Sequence, residues 1–247
     1  MAKKYIILDT ETTGTSEEDR VIQLGYMVLG AKEVEVHNEF YSCEIPIKFG
    51  AMEVHGITEE MLVGKPNIKD GASYKRLQEL NTPDNYMIIH NAPFDLGMLE
   101  KEGFNTQMKV IDTLRVAKHI YKDEEAHRLQ YFRYKMGLYK QEKQEADTLG
   151  IVVKAHDAIG DVLVLKLFLS ELRKSVSKIF PDDNPVEKMV DLTNTPILIE
   201  KFRFGKHKGK SIREVAQEDS GYLRWMLSSM ENLDDDMRYT INNALGV

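Results

Sequence analysis

Four carboxylates and one histidine stand out by residue type and spacing. Asp9 and Glu11 close the apolar run Tyr5-Ile6-Ile7-Leu8. Such a run reads as a buried strand, and in extended chain residues two apart point to the same side. The two carboxylates therefore aim at one spot, where like charges are costly unless a cation lies between them. Hard oxygen donors of this kind suit Mg²⁺ or Mn²⁺. Taken alone, the stretch reads equally well as a strand end whose acids are merely solvated. Asp95 falls in the first turn of a helix opened by Asn91-Ala92-Pro93-Phe94, directly after the apolar strand Tyr86–His90. Pro93 suits that first turn, and the helix dipole favours a carboxylate there. A strand feeding this turn puts Asp95 at the carboxyl edge of a sheet, where α/β proteins keep their sites. Lys154–Asp161 leads into the apolar helix Val162–Leu172, with His156 just before the helix and Asp161 expected in its second turn. Five residues apart, they share no helix face, but a preceding loop can fold back over a helix end.

The elements that must position these groups follow in an alternating order. After the first strand and the polar loop Thr13–Arg20, Val21–Gly30 and Glu33–Cys43 read as two long strands joined by a tight turn at Gly30-Ala31-Lys32. Val54-His55-Gly56-Ile57-Thr58 leads into a short helix at Glu59–Val63, with Thr58 as its N-cap; His55 by itself reads as local structure. A helix over Asp70–Leu80 precedes the strand at Tyr86. Met108–Ile111 is a further strand, running into a helix that Asp112 caps. Residues 113–150 read as helical with solvated charge faces. Two prolines and a polar cluster mark a linker at Ser175–Pro185. Beyond it, strands flank Gly205–Gly209 and three helices follow near Ile212–Gln217, Tyr222–Met230 and Asp235–Leu245. The domains expected are 1–175, a linker with a short helix over 176–199, and a small unit over 200–247.

A chain of 247 residues allows one large domain with a small appendage. A single cysteine, Cys43, excludes an internal disulfide and a Cys-rich zinc site. The first apolar run is too short for a signal peptide, and no stretch approaches the ~20 apolar residues of a membrane helix. A cytoplasmic location without membrane contact is expected. Charge is segregated: residues 201–213 carry six Lys/Arg and no acid, which leaves −13 on the rest of a chain whose net charge is −7. Segregation of this kind can guide a polyanion that net charge would repel.

Asp9-Thr10-Glu11-Thr12-Thr13-Gly14, His90-Asn91-Ala92-Pro93-Phe94-Asp95 and His156-Asp157-Ala158-Ile159-Gly160-Asp161 resemble, in order and spacing, the three motifs of the DnaQ-like exonucleases with four carboxylates and a histidine. The resemblance implies an α/β fold, a ribonuclease H-like mixed β-sheet flanked by helices, with a small C-terminal α+β unit. It implies 3′→5′ hydrolysis from a free 3′ end, single-stranded or at a duplex end, releasing 5′-mononucleotides. Two Mg²⁺ or Mn²⁺ ions would sit about 3.5–4 Å apart, with Asp9 bridging them, Glu11, Asp95 and Asp161 completing the shells, and a neutral His156 as general base. Val54–Thr58 resembles a substrate-side element of the same family, and Thr12, His55, Asn91 and Phe94 would hold the terminal nucleotide. Phe204–Lys210 and Gly221–Met226 resemble the C-terminal segment of a DNA-degrading branch, which favours DNA over RNA as substrate. An exoribonuclease of the same family would use the same five residues. An inert nucleic-acid-binding module would typically have lost one of the five, and all are present. In the C-terminal unit, Lys201, Arg203, Lys206, Lys208, Lys210 and Arg213 are expected to form an accessory nucleic-acid contact, and read equally as a solvated face balancing an acidic segment such as Glu231–Asp236. Phe202 and Phe204 are expected on the opposite face of a strand, packed with Trp225.

Overall fold

The computed structural model describes residues 3–30, 33–154 and 156–247. The turn expected at Gly30-Ala31-Lys32 therefore falls largely outside the described residues. The chain divides into two compact units, Met1–Thr193 and Asn194–Val247.

In the first unit, β1 (Tyr5–Thr12), β2 (Val21–Leu29), β3 (Glu35–Phe40), β4 (Tyr86–Ile89) and β5 (Lys109–Asp112) form one sheet in the order β3-β2-β1-β4-β5. β2 runs antiparallel to β1 and β3, whereas β4 runs parallel to β1 and β5. The helices of this unit are α1 (Phe49–His55), α2 (Glu59–Leu62), α3 (Ala72–Leu80), α4 (Ala92–Lys101), α5 (Thr113–Ile120), α6 (Leu129–Lys135), α7 (Tyr139–Leu149), α8 (Ala158–Ile179) and α9 (Pro185–Asn194).

β1 is apolar on consecutive residues because both faces of the sheet are covered. Ile6 and Leu8 join Leu24, Tyr26, Met87 and Ile89 in a cluster with Leu77 of α3 and Leu99 of α4. Ile7, one step out of phase, joins Met27, Ile88 and Ile111 against Ile159, Val162 and Leu163 of α8. The strand period thus sends alternate β1 side chains to α4 and to α8. Close approach of α8 needs a gap in β2, and Gly25 supplies it. A Cβ there would lie 2.7 Å from both the Ala158 carbonyl carbon and the Ile159 nitrogen.

One element is added and two local expectations are corrected. A helix, α1, precedes Gly56, which closes it in the left-handed conformation at φ 71; His55 therefore ends one helix as well as preceding the next. α8 continues to Ile179, through the start of the expected linker, because Val176 still buries against the α8 core. α9 is no free connector either. Met189 and Leu192 enter the same core, Arg115 Nε donates to the Thr193 carbonyl at 2.8 Å, and Lys109 pairs with Glu187 at 2.9 Å.

The second unit holds α10 (Ile212–Glu218), α11 (Ser220–Ser229) and α12 (Asp235–Leu245) around Phe202, Ile212, Val215, Leu223, Met226, Leu233, Met237 and Ile241. Antiparallel pairing around Gly205–Gly209 is limited to one bridge, Lys201 with Ser211. Gly205 and Gly209, at φ 72 and 89, curl the chain too tightly for a longer ladder. Trp225 is not in this core but 51% exposed, because Leu223 and Met226, three apart on α11, take the buried face. Phe202 is buried as expected, whereas Phe204 is 44% exposed. Among the described residues no helix is long and apolar enough to cross a membrane.

Replacing Gly25 by Ala should push α8 off β2 and destabilise the protein by about 1–3 kcal/mol, the usual scale of overpacking. The urea midpoint would read it; an unshifted midpoint would show that the two elements can separate at no cost.

Candidate active site

Asp9 and Glu11 leave β1 on the side of Ile7, the α8 side, and Asp161 rises from the first turn of α8 to meet them. All three are half-buried, and one carboxylate oxygen of each lies within 4.8 Å of the others. Thr10, between the two acids, points the other way. Its backbone N–H and its hydroxyl donate to Asp95 Oδ1 at 3.0 and 2.7 Å, fixing the buried Asp95 of α4 at the end of the same strand. Asp95 approaches from the other face of the sheet and is not in the 4.8 Å group.

The start of α4 is set by Asn91, in the left-handed conformation at φ 77, whose N–H donates to Asp112 Oδ1 at 3.0 Å. Asp112 also accepts from the Leu114 and Arg115 amides at 2.9 and 3.4 Å, so it caps α5 as the sequence suggested. The start of α8 is set from β2. Gln23, paired with Glu11 across the sheet, donates to Asp157 Oδ1 at 2.8 Å and accepts from the Ala158 amide at 3.4 Å. Asp157 itself caps α8 through Gly160 at 3.3 Å.

Asp161 is held from both sides. Oδ2 accepts from the His156 amide at 3.3 Å, which is the loop folding back over the helix end. Oδ1 accepts from Gln130 Nε2 of α6 at 2.7 Å. Gln130 Oε1 in turn accepts from Arg133 at 3.1 Å, and Arg133 forks onto Glu142 of α7 with two contacts of 2.6 Å. His156 is exposed and sits in the left-handed region at φ 56. Beside it, Lys154 Nζ donates to the His55 carbonyl at 3.2 Å.

The expected nucleotide contacts fall into two pairs. His55 is buried; its Nδ1 accepts from the Ile57 amide at 2.9 Å and its Nε2 donates to the Thr12 carbonyl at 3.2 Å. That pattern is a neutral ring, and burial pushes its pKa down. The Thr12 hydroxyl donates to the Gly14 carbonyl at 2.7 Å. Asn91 is exposed, and Phe94 is half-buried against the α4-side cluster. The six cations of 201–213 belong to the second unit.

The carboxylates resist ionising together. Burial, reinforced by Asp95, Glu11 and Asp161, pushes Asp9 well above the usual carboxylate range. Burial and the charges of Asp161 and Asp95 raise Glu11 to about 8. Asp161 is raised to about 6 by burial, with His156 and Arg133 pulling the other way. Asp95 is raised by burial against the two Thr10 hydrogen bonds. A divalent cation fits this set of hard oxygen donors, because its charge removes the reason for each proton.

Sequence reasoning missed four supports. Thr10 was visible in principle, since strand alternation must send it away from its acidic neighbours. Gln23 is the one amide in an otherwise apolar strand. Gln130 and Arg133 carry no signal in a chain read without its contacts.

A family profile described as Exonuclease matches residues 6–168, and one described as Exodeoxyribonuclease X-like C-terminal matches residues 202–231. The chain belongs to the exonuclease family and is a nuclease-type hydrolase. It is 28% identical over 241 residues to Exodeoxyribonuclease 10 of Escherichia coli K12, covering 97% of each chain. It is 35% identical over 137 residues to the DNA polymerase III subunit epsilon of Buchnera aphidicola, covering 48% of this chain and 56% of that one. Two solved structures share the fold at 19% identity and a TM-score of 0.53. Exonuclease X in complex with 5′ overhanging duplex DNA matches over 77% of this chain and 98% of its own. E. coli exonuclease I in complex with a dT13 oligonucleotide matches over 73% and 43%. The sheet is the ribonuclease H-like mixed sheet that the motifs implied.

Two outcomes are expected of this site. Glu11 near 8 and Asp161 near 6 hold protons in the folded state that the unfolded chain releases near pH 4. Their contribution to stability is complete below about pH 4 and is lost as pH rises through 6 and 8. The melting temperature in EDTA should therefore fall between pH 5 and 8, and excess Mn²⁺ should flatten the decline; a flat metal-free profile would contradict the charge cluster. In Gln130→Leu, Asp161 loses its lateral anchor. Calorimetry should show Mn²⁺ affinity reduced about tenfold or more, and unchanged affinity would make the Gln130 contact incidental.

Proposed function

We propose that the chain is a 3′→5′ exodeoxyribonuclease that hydrolyses DNA from a free 3′ end, single-stranded or at a duplex end, to 5′-mononucleotides. The observation that carries this reading is the convergence of Asp9, Glu11 and Asp161 within 4.8 Å at the end of the central strand. The choice of DNA is supported by the full-length relative named as a deoxyribonuclease and by the matching C-terminal profile. A cytoplasmic location accords with the single cysteine.

Asp9, Glu11, Asp95 and Asp161 are the residues that would hold two Mg²⁺ or Mn²⁺ ions. When bound, the ions supply Lewis acidity at the scissile phosphate and offset the charge that develops on its oxygens. The protein's own groups do the rest. His156, exposed beside Asp161 and free of any hydrogen bond from its ring to a described residue, takes the proton of the attacking water as general base. The amide of the same residue steadies Asp161, so base and carboxylate move as one piece. Asn91 and Phe94, at the open start of α4, contact the terminal nucleotide, and the His55–Thr12 hydrogen bond stiffens the opposite wall. No group in this set is a dedicated reader of the 2′-hydroxyl, so the substrate assay must include RNA.

5′-labelled DNA and RNA of one sequence, incubated with Mg²⁺ or with EDTA, test the reading. DNA should shorten from its 3′ end faster than RNA, with no cleavage in EDTA and none by Asp9→Asn. RNA degraded as fast or faster would move the assignment to an exoribonuclease. His156→Ala should lose roughly a hundredfold in turnover while keeping wild-type Mn²⁺ affinity. Affinity lost as severely as in Asp9→Asn would make His156 a ligand.

A further inference from the structure

We propose that the second unit binds single-stranded nucleic acid through an aromatic and cationic surface formed by Trp225, Tyr222, Phe204 and the loop 201–210. The proposal rests on the exonuclease reading for its substrate class, but its site lies within the second unit. Trp225 and Phe204 are 51% and 44% exposed in a unit whose core is complete without them. They are nonetheless joined. Trp225 lies 5.7 Å from Tyr222, Tyr222 6.1 Å from Phe202, and Phe202 6.5 Å from Phe204, centroid to centroid. Both exposed rings thus flank one anchored pair. Gly205 seats the loop directly on Tyr222: a Cβ at that position would lie 2.7 Å from the Tyr222 hydroxyl, and φ is 72.

The charges around this surface sort into two kinds. Lys206 pairs with Asp219 at 2.8 Å, His207 reaches the same carboxylate at 3.0 Å, and Lys210 pairs with Glu218 at 2.7 Å. These contacts tie the loop to the end of α10 and the start of α11, so Lys206 and Lys210 already have carboxylate partners. Lys201, Arg203, Lys208 and Arg213 form no ion pair with any described residue, and all four are exposed. Lys201, Arg203 and Lys208 share the loop with Phe204. Exposed aromatic rings and unpaired cations within one small unit match a ligand with both stacking faces and backbone phosphates. A duplex hides its base faces, and an acidic peptide offers charge without stacking. A single strand offers both.

Trp225 is the only tryptophan in the chain, so its emission reports on this surface alone. The full-length protein in EDTA is titrated with a fluorescein-labelled dT12, followed by anisotropy and, with unlabelled dT12, by tryptophan emission. Quenching should saturate in step with anisotropy. Trp225→Ala and Phe204→Ala should each weaken binding about tenfold. Replacing Lys201, Arg203 and Lys208 together by Gln should lower the slope of log affinity against log salt by about 2. Hydrolysis of the p-nitrophenyl ester of thymidine 5′-monophosphate, which offers one nucleotide and no strand, should be unchanged in all three proteins. Binding by anisotropy without quenching would overturn the proposal, as would equal quenching by a blunt duplex or by polyglutamate. If the ester is not hydrolysed by the wild type although quenching occurs, the exonuclease reading fails and this contact stands.

Discussion

The structure depends on holding three carboxylates closer together than their charges allow. Asp9, Glu11 and Asp161 come from a strand and a helix that are far apart in the chain, yet their oxygens lie within 4.8 Å. Each would separate if its element could move. The opposing forces are apolar: Ile7 of β1 and Ile159, Val162 and Leu163 of α8 bury against one another directly beneath the acids. Burial of such side chains is worth about 1.5–3 kcal/mol each, and it holds the acids at a distance where a proton or a cation must offset their repulsion.

Alternation along β1 divides the work of positioning. Asp9 and Glu11 belong to the face that meets α8, while Thr10 belongs to the face that meets α4 and holds Asp95 there. One short strand therefore sets the position of two helices on opposite sides of the sheet. The parallel strands β1, β4 and β5 all release their chains toward this end, which is why Asp95 and the cap Asp112 are close at hand. The antiparallel β2 contributes differently, through Gly25 for closeness and Gln23 for angle.

Much of this was legible before any contact was known. The strand that carries Asp9 and Glu11, the helix start at Asp95 and the loop–helix junction at His156 are short-range patterns, and β1, α4 and α8 form at those places, although β1 runs on to Thr12 and α8 begins at Ala158. The long-range partners were not legible. Gln130 reaches Asp161 from a segment that shows only helical periodicity and solvated charge, and Arg133–Glu142 is an ion pair between two helices whose facing sides the sequence does not mark. The expectation that Trp225 packs with Phe202 and Phe204 ignores helical phase, which gives the buried face of α11 to Leu223 and Met226. The linker was placed by prolines, although the apolar stripe of α8 outlasts Ser175 and carries the helix onward.

The separation of Asp9 from Asp161 along the chain has a consequence for the cell that makes this protein. Translation delivers β1 first and α8 only after most of the first unit has emerged. Until then the two N-terminal acids have neither their partner nor the apolar surface that confines them. A nascent chain therefore carries the first two motifs but not the assembled cluster of Asp9, Glu11 and Asp161. The carboxylate cluster of this nuclease-type hydrolase thus forms only when α8 docks on β1, late in synthesis.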